Sequence, residues 1–216
     1  MKLIFIRHGE TQINPSGILH SANDSAGLTE KGRAQVDLAA DILTNYNPDV
    51  IFVSPEKRAQ ETAEKLKQIL KVQIAIVPEL RERDWGDWSG RAWQDVRHML
   101  QKMTLKARYA FIPPGGESWK QVETRAKEAL QQILASGYVH PVIVTHGGML
   151  RILMPVLTNS PIEKSFGYDF ANGSLTVFEW SGRQFHEILI NDISHLHEVL
   201  TKEMKNNDFK RTASKF

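Results

Sequence analysis

The chain has 216 residues, 41% of them hydrophobic and 24% charged, with a net charge of +2 and no cysteine. That length supports one well-buried core, and no low-complexity or Pro/Gly/Ser-rich stretch interrupts it as a linker. The lack of cysteine excludes disulfides, thiolate catalysis and Cys-ligated zinc or iron–sulfur centres, and the apolar start stops at Arg7 and His8, too soon for a signal peptide or a membrane span. A cytoplasmic protein with no membrane attachment is expected.

The predicted elements alternate between two periods. Lys2–Ile6 is a short apolar run that suits a buried parallel strand, and Asp49–Val53 and Pro141–Thr145 repeat the pattern. Amphipathic helices are predicted over Thr29–Tyr46, with Val36, Leu38, Ala39, Ile42 and Leu43 as the apolar stripe, and over Glu56–Leu70, with Ala59, Ala63, Leu66 and Ile69. Gln73–Val77 reads as a fourth strand, Trp93–Met103 and Ser118–Ala135 as helices, Met149–Leu157 as a helical pattern, and Leu175–Trp180 with Phe185–Ile190 as a hairpin around Ser181 and Gly182. Segments 9–28, 78–92 and 104–117 read as loops rich in Gly, Pro, Asn, Asp or Ser. This βαβ alternation predicts a three-layer α/β/α sandwich with a mostly parallel central sheet. Residues 1–194 are expected to form one domain. Residues 195–216, with Lys202, Lys205, Lys210, Arg211 and Lys215, are expected to be a basic tail, partly helical or frayed, rather than a nucleic-acid or acidic-lipid contact.

Two histidines stand at two predicted strand ends. Strand one runs into Arg7-His8-Gly9, and the strand at 141–145 runs into His146-Gly147-Gly148 before a helical pattern. In open α/β sheets, ligands bind at the carboxyl ends of the strands, so both imidazoles face the rim where a ligand is expected. Glycine after each histidine allows close backbone approach to a ligand, and the second pair opens a helix whose free N–H groups favour an anion such as phosphate.

Several ordered motifs carry the reading further. I-R-H-G-E-T-Q-I-N at 6–14 resembles the signature of the histidine phosphatase superfamily, the phosphoglycerate mutase-like proteins. It is followed in order by L-T-E-K-G at 28–32, V-S-P-E-K-R-A-Q-E-T-A at 53–63, L-R-E-R-D-W-G-D-W-S-G at 80–90, G-G-E-S at 115–118 and V-T-H-G-G at 144–148. The resemblance spans about residues 2–190, essentially the whole expected domain. It implies His8 as nucleophile, Arg7, Arg58 and His146 as holders of the phosphoryl group, and Glu82 as proton donor. Asn14 and the backbone N–H of Gly147 are implied as further phosphate contacts.

Such residues suit phosphoryl transfer, whose loose transition state spreads charge over three oxygens and is stabilised mostly by positioning and electrostatics. Two guanidiniums, a protonated His146 and a helix N-terminus would supply the positive charge that a metal ion often provides. His8 must be neutral at its attacking nitrogen, which calls for its other ring nitrogen to be tied to a nearby backbone carbonyl. Competing readings exist for two of these side chains. Glu82 sits among Arg81, Arg83 and Asp84, a plain surface charge cluster on the bland view, and Arg58 has Glu61 one turn on as an ordinary helix-surface partner.

The other histidines show no H-x-x-x-H or H-E-x-x-H spacing on a helix, so no metal and no cofactor are expected. His20, in the loop after the first motif, is a possible substrate contact. Trp85, Trp88, Trp93 and Trp119 either wall a substrate pocket or pack a loop-rich cap onto the sheet, and Trp85 is the possible substrate contact among them. Only 64 positions separate Glu82 from His146, short beside the insertion of cofactor-dependent mutases, which favours phosphatase over phosphoglycerate mutase. Segment 17–27 lacks the Gln-Gly pair common in the family, and Ser89 stands where many relatives have Glu, so the substrate stays open. A non-catalytic phospho-ligand binding or scaffold protein is the alternative of another class; the presence of Arg7, His8, Arg58, Glu82 and His146 together speaks against it. The expected partner is a small-molecule phosphate ester, with no nucleic acid and no membrane. The sequence carries no cue to oligomeric state.

Overall fold

A computed structural model describes residues 1–20 and 24–197 of the chain. Its strands are β1 (Lys2–Arg7), β2 (Val50–Val53), β3 (Gln73–Ile76), β4 (Pro141–Thr145), β5 (Leu175–Trp180) and β6 (Phe185–Asp192). They form one six-stranded sheet in the order β3-β2-β4-β1-β5-β6. The first four run parallel, while β5 is antiparallel to β1 and to β6. The helices are α1 (Glu30–Thr44), α2 (Lys57–Leu70), α3 (Trp93–Gln101), α4 (Leu105–Ala110), α5 (Trp119–Ala135) and α6 (Gly147–Leu157).

The period of two along each central strand divides the core into two layers. Leu3, Phe5, Phe52 and Ile143 face α5 and α6, meeting Val122, Ala126 and Ile152. Ile4, Ile6, Ile51, Val53, Val142 and Val144 face α1 and α2, meeting Val36, Leu43, Ala63 and Leu66. Because both faces are covered, β1, β2 and β4 are apolar throughout, as a parallel sheet requires. Each fully buried aliphatic side chain stabilises this arrangement by about 1.5–3 kcal/mol.

Helix entries follow from local chemistry. Thr29 accepts the backbone N–H of Gly32 and caps α1, and Ser118 with Gln121 forms a reciprocal capping box on α5. Three sequence expectations change. Ile42 is 36% exposed while Ala40 is buried, because the face of α1 on the sheet is Val36, Ala39, Ala40 and Leu43, and Ile42 points about a third of a turn away; Ile69, in the last turn of α2, is 39% exposed, past the buried face of Ala59, Ala63 and Leu66. Segment 104–117 contains α4, capped by Thr104, whose Oγ1 accepts from Ala107 N at 3.2 Å. This helix buries no residue fully, so it leaves no apolar period to read.

Leu196, inside the segment expected as a tail, is buried in a turn over Ser194–Leu196. The cluster Lys202–Lys215 lies outside the described residues. Among the described residues no helix is long and apolar enough to cross a membrane.

Candidate active site

Strand register sets the centre of the site. Arg7 of β1 pairs with Thr145 of β4, so His8 and His146 leave the sheet side by side, with ring centroids 5.2 Å apart. Both are buried, at 2% and 0% exposure. On the other side of β4, β2 pairs Val53 with Val144 and leads through Ser54 into the first turn of α2, which carries Arg58. Three neighbouring strand ends therefore deliver Arg7, His8, Arg58 and His146 to one place.

Their free donors matter more than their bonds. Among the described residues, Arg7 Nε, Arg58 Nε and Nη1, and His146 Nδ1 are buried without a hydrogen-bond partner. Buried donors are nearly always satisfied, and an unmet one costs about 1–3 kcal/mol. Four such donors beside one another suit an anion with several acceptor oxygens. His146 Nε2 lies 2.7 Å from Ser54 Oγ, which also accepts from Glu56 N; in the tautomer where the Ser54 hydroxyl donates to Nε2, the ring proton sits on Nδ1 and faces the same space as the free arginine donors.

The protonation state of His146 departs from the sequence expectation. Burial, then Arg58, His8 and Arg7, hold its pKa well below the ordinary histidine range. It is neutral in the unliganded protein and offers one N–H rather than a full charge. His8 is likewise held well below that range, by burial first and then by Arg58 and Arg7, with its bond to the Gly9 carbonyl pulling the other way. That bond, Nδ1 to Gly9 O at 2.8 Å, ties the other ring nitrogen to a backbone carbonyl as expected. The neutral ring then carries its lone pair on Nε2.

Glycine at 9 has a different reason from the one the sequence suggests. A Cβ there would lie 2.5 Å from Gly32 O, so Gly9 serves close packing of β1's end on α1 rather than approach to a ligand. At Gly148 the site itself is the constraint. Glu82 Oε2 accepts Gly148 N at 2.9 Å, and a Cβ at 148 would run into the Glu82 carboxyl group. Glu82, Arg7 and Gly147 line one cavity of about 190 Å³.

The surface cluster around Glu82 does not form. Arg83 is 2% exposed, donates to Glu117 O and Phe111 O, and lies between the rings of Trp85 and Trp119 at 4.1 and 4.4 Å from their centroids. Burial pulls its pKa down to about 9. Arg125 holds the same loop, donating to the carbonyls of Glu79, Arg81 and Glu82 and making a two-pronged pair with Glu117, both prongs at 2.8 Å. Nor does Arg58 pair with Glu61. It pairs with Glu56, and Glu61 instead accepts Leu28 N and meets Lys57. Glu56 Oε1 also accepts Glu82 N, and burial pushes this carboxyl up to about 7, helped by Glu82 and opposed by Arg58.

Asn14 and His20 join the rim beside His8. Asn14 Oδ1 accepts from Thr11 N and from Asn172 Nδ2, and Asn172 Nδ2 also donates to His8 O at 3.0 Å. His20 Nδ1 is 2.6 Å from Asp24 Oδ2 and its Nε2 is 3.2 Å from Asn14 Nδ2. The His20 ring is 6.1 Å from that of His8. Trp85 lines the cavity beside Glu82 and packs edge-on against Trp93 and Trp119. Trp88 packs against Phe111, with the Arg91 guanidinium 6.0 Å from its ring centroid.

Ser54, Glu56, Glu117 and Arg125, Arg151 and Asn172 escaped the sequence reading as site residues. Ser54, Glu56 and Glu117 lie inside quoted motifs, and Arg151 stands one helical turn after Gly147, a spacing that points it to the same rim. Asn172 carried no local signal. Among the described residues no group of three His, Asp or Glu side chains is placed to hold a metal ion.

Fold and site together define an α/β sandwich with two buried histidines and two arginines with buried donors gathered at the carboxyl rim of its parallel strands. The family model of the histidine phosphatase superfamily (branch 1) matches residues 3–193, and the chain belongs to that family. It is 31% identical over 209 residues to a metal-independent phosphoserine phosphatase of Arabidopsis thaliana, covering 92% of this chain and 84% of the relative. A 2,3-bisphosphoglycerate-dependent phosphoglycerate mutase of Bartonella henselae is 30% identical, covering 83% of this chain and 92% of the relative. The solved structure of Bacillus stearothermophilus YhfR superposes with a TM-score of 0.80 at 31% identity, covering 90% of this chain and 98% of that one.

Proposed function

We propose that the chain is a phosphoric monoester hydrolase that works through a phosphohistidine on His8. The observation that carries this reading is the ring of unpaired buried donors from Arg7, Arg58 and His146 around a neutral His8. His8 Nε2 attacks phosphorus, the bond from phosphorus to the ester oxygen breaks, and Glu82 in its acid form gives its proton to the departing oxygen. Water then attacks phosphorus, Glu82 takes the water's proton, the bond to Nε2 breaks and inorganic phosphate leaves. Throughout, both guanidiniums, His146 Nδ1–H and the N–H groups opening α6, starting with that of Gly147, hold the equatorial oxygens, so the positive charge comes from the protein. Asn14 adds an amide donor at the same rim, with His20 behind it.

The family likeness to phosphatases and to a mutase allows two fates for the phosphohistidine, water or a second hydroxyl. The short span from Glu82 to His146 favours water. The test is release of inorganic phosphate from 4-nitrophenyl phosphate with EDTA present, with acid-labile, alkali-stable labelling of the protein during turnover. His8→Ala should abolish both. Loss of activity on chelation, or a fully active His8→Ala, overturns the mechanism; primed isomerisation of phosphoglycerate faster than its hydrolysis would assign the mutase reaction instead.

A further inference from the structure

Beyond the cavity that Glu82, Arg7 and Gly147 line there is a second space that the mechanism above does not use. The cavity beside Glu82 and Arg7 shares Trp85, Trp93, Trp119, Arg151 and Asp169 with an outer cavity of about 270 Å³, so the two adjoin. With phosphorus held at His8 and Arg7, the leaving group points past Glu82, its proposed acid, into the cavity that Glu82, Arg7 and Gly147 line, and a longer one extends from there toward the outer space. We infer that the leaving group is a flat, largely apolar body bearing a second anionic group at its far end. This rests on the phosphatase reading and names its substrate class.

The walls carry the apolar part. Trp85 and Trp119 meet edge to face with centroids 6.1 Å apart, Trp93 stands against Trp85 at 5.9 Å, and Phe166 against Trp119 at 6.5 Å. Such a frame offers ring faces and edges to a planar guest.

The far end carries the charge. Arg97, Arg108 and Arg151 line the outer cavity, against one carboxylate, Asp169, whose side chain is 95% exposed and lies 4.0 Å from Arg151 Nη2. Much of the donor capacity of these arginines is uncommitted. Arg151 spends Nε on Tyr168 O, Arg108 spends Nε and Nη2 on Leu100 O, and Arg97 makes no hydrogen bond or ion pair among the described residues. Arg151, with its side chain 21% exposed beside Trp119, meets an anion less screened than on an open surface, while the exposed Arg97 adds charge at the mouth. A carboxylate or a second phosphate has the required chemistry, and a cationic leaving group does not. The volume sets an upper limit. About 270 Å³ lies just below the range of drug-sized sites, which begins near 300 Å³, and admits one ring with one acid rather than a folded phosphoprotein segment.

A matched set separates the terms: phenyl phosphate, 4-carboxyphenyl phosphate, 1,4-phenylene bisphosphate and 4-(aminomethyl)phenyl phosphate, each assayed for phosphate release. Either acidic ester should exceed phenyl phosphate in kcat/KM by about tenfold, a difference of about 1.4 kcal/mol, and the aminomethyl ester should fall below it. Which acid wins distinguishes carboxylate from phosphate. Arg97→Glu, on an exposed helix position that tolerates the change, should shrink the acidic-to-neutral ratio to near one. Trp93→Ala should raise KM for 4-carboxyphenyl phosphate more than for a four-carbon carboxyalkyl phosphate. Equal kcat/KM across the set, or a ratio that survives Arg97→Glu, overturns the anionic part, and an equal KM rise in Trp93→Ala overturns the planar part. Failure to release phosphate from any ester would count against the phosphatase reading itself.

Discussion

Glu82 accepts the backbone N–H of Gly148 at 2.9 Å, which ties the loop after β3 to the opening turn of α6. One bond thus sets the distance between the carboxyl group proposed as acid and the helix end proposed to hold phosphate. Glu82→Gln keeps the shape of the side chain and removes the proton. Turnover of alkyl phosphates should fall by about a hundredfold to ten-thousandfold, and that of 4-nitrophenyl phosphate far less, because a good leaving group needs no proton. A plot of log kcat against leaving-group pKa checks this; an unchanged slope would remove Glu82 from the acid role.

Gly148→Ala tests the same contact from the other side. The added methyl meets the Glu82 carboxyl and, at 3.2 Å, the ring of Trp119, so the carboxyl must move. A misplacement of about 1 Å at a reacting group can cost about a hundredfold, so kcat should drop by one to two orders of magnitude while the urea midpoint changes little. Steady-state kinetics beside urea denaturation separate the two effects.

The pair of Arg125 and Glu117 holds the Glu82 loop from beneath, with side chains 6% and 10% exposed. Removing Arg125 leaves the buried Glu117 with only the more exposed Arg81 and the Asp84 N–H as partners, so Arg125→Met should cost about 3 kcal/mol of stability, the low end for a broken buried pair. The double change Arg125→Met with Glu117→Leu should recover a substantial part of that loss. Chemical denaturation of both variants is the measurement, and a double variant no better than the single would show that the bonds from Arg125 to the three loop carbonyls dominate.

Glu56 should leave a mark on the pH dependence of stability. Its carboxyl is raised from 4.5 to about 7, so between those values the folded chain keeps a proton that the unfolded chain has lost. The contribution of this group is complete below 4.5 and is lost as pH rises through about 7. His8 and His146 act in the opposite sense, since both sit well below 6.5 in the folded chain; their contribution is complete above 6.5 and is lost as pH falls. In Glu56→Gln only the first effect disappears. The variant's stability relative to the parent should therefore rise by about 1–3 kcal/mol between about pH 5 and about pH 8, read from urea midpoints at each pH. A difference that does not change with pH would place the Glu56 carboxyl near its ordinary value.

Much of this was readable because a buried parallel strand and an amphipathic helix impose short, strong periods. The run at 141–145 became β4 without a shift, those at 2–6 and 49–53 became β1 and β2 with a shift of one residue at an end, and the helices at 29–46, 56–70 and 118–135 shifted by one or two. Helix α4 was not readable, since a helix with no fully buried residue has no apolar stripe. Among site residues, the histidines and their glycines stood in local motifs at strand ends. Helix spacing offered Glu61 as the competing partner of Arg58, whereas the chain turns back before α2 and places Glu56 there instead, a contact that spacing within the helix could not show.

By itself the sequence determined the alternation of strands and helices, the two His-Gly strand ends and the order of motifs, because each is encoded within about ten neighbouring residues. Only the tertiary structure decided that β1 and β4 are neighbours, that His146 is neutral before an anion arrives, that Asn172 grips the His8 carbonyl and that three arginines surround an aromatic outer cavity. Those facts come from groups far apart in the chain, and burial and charge act through space rather than along it.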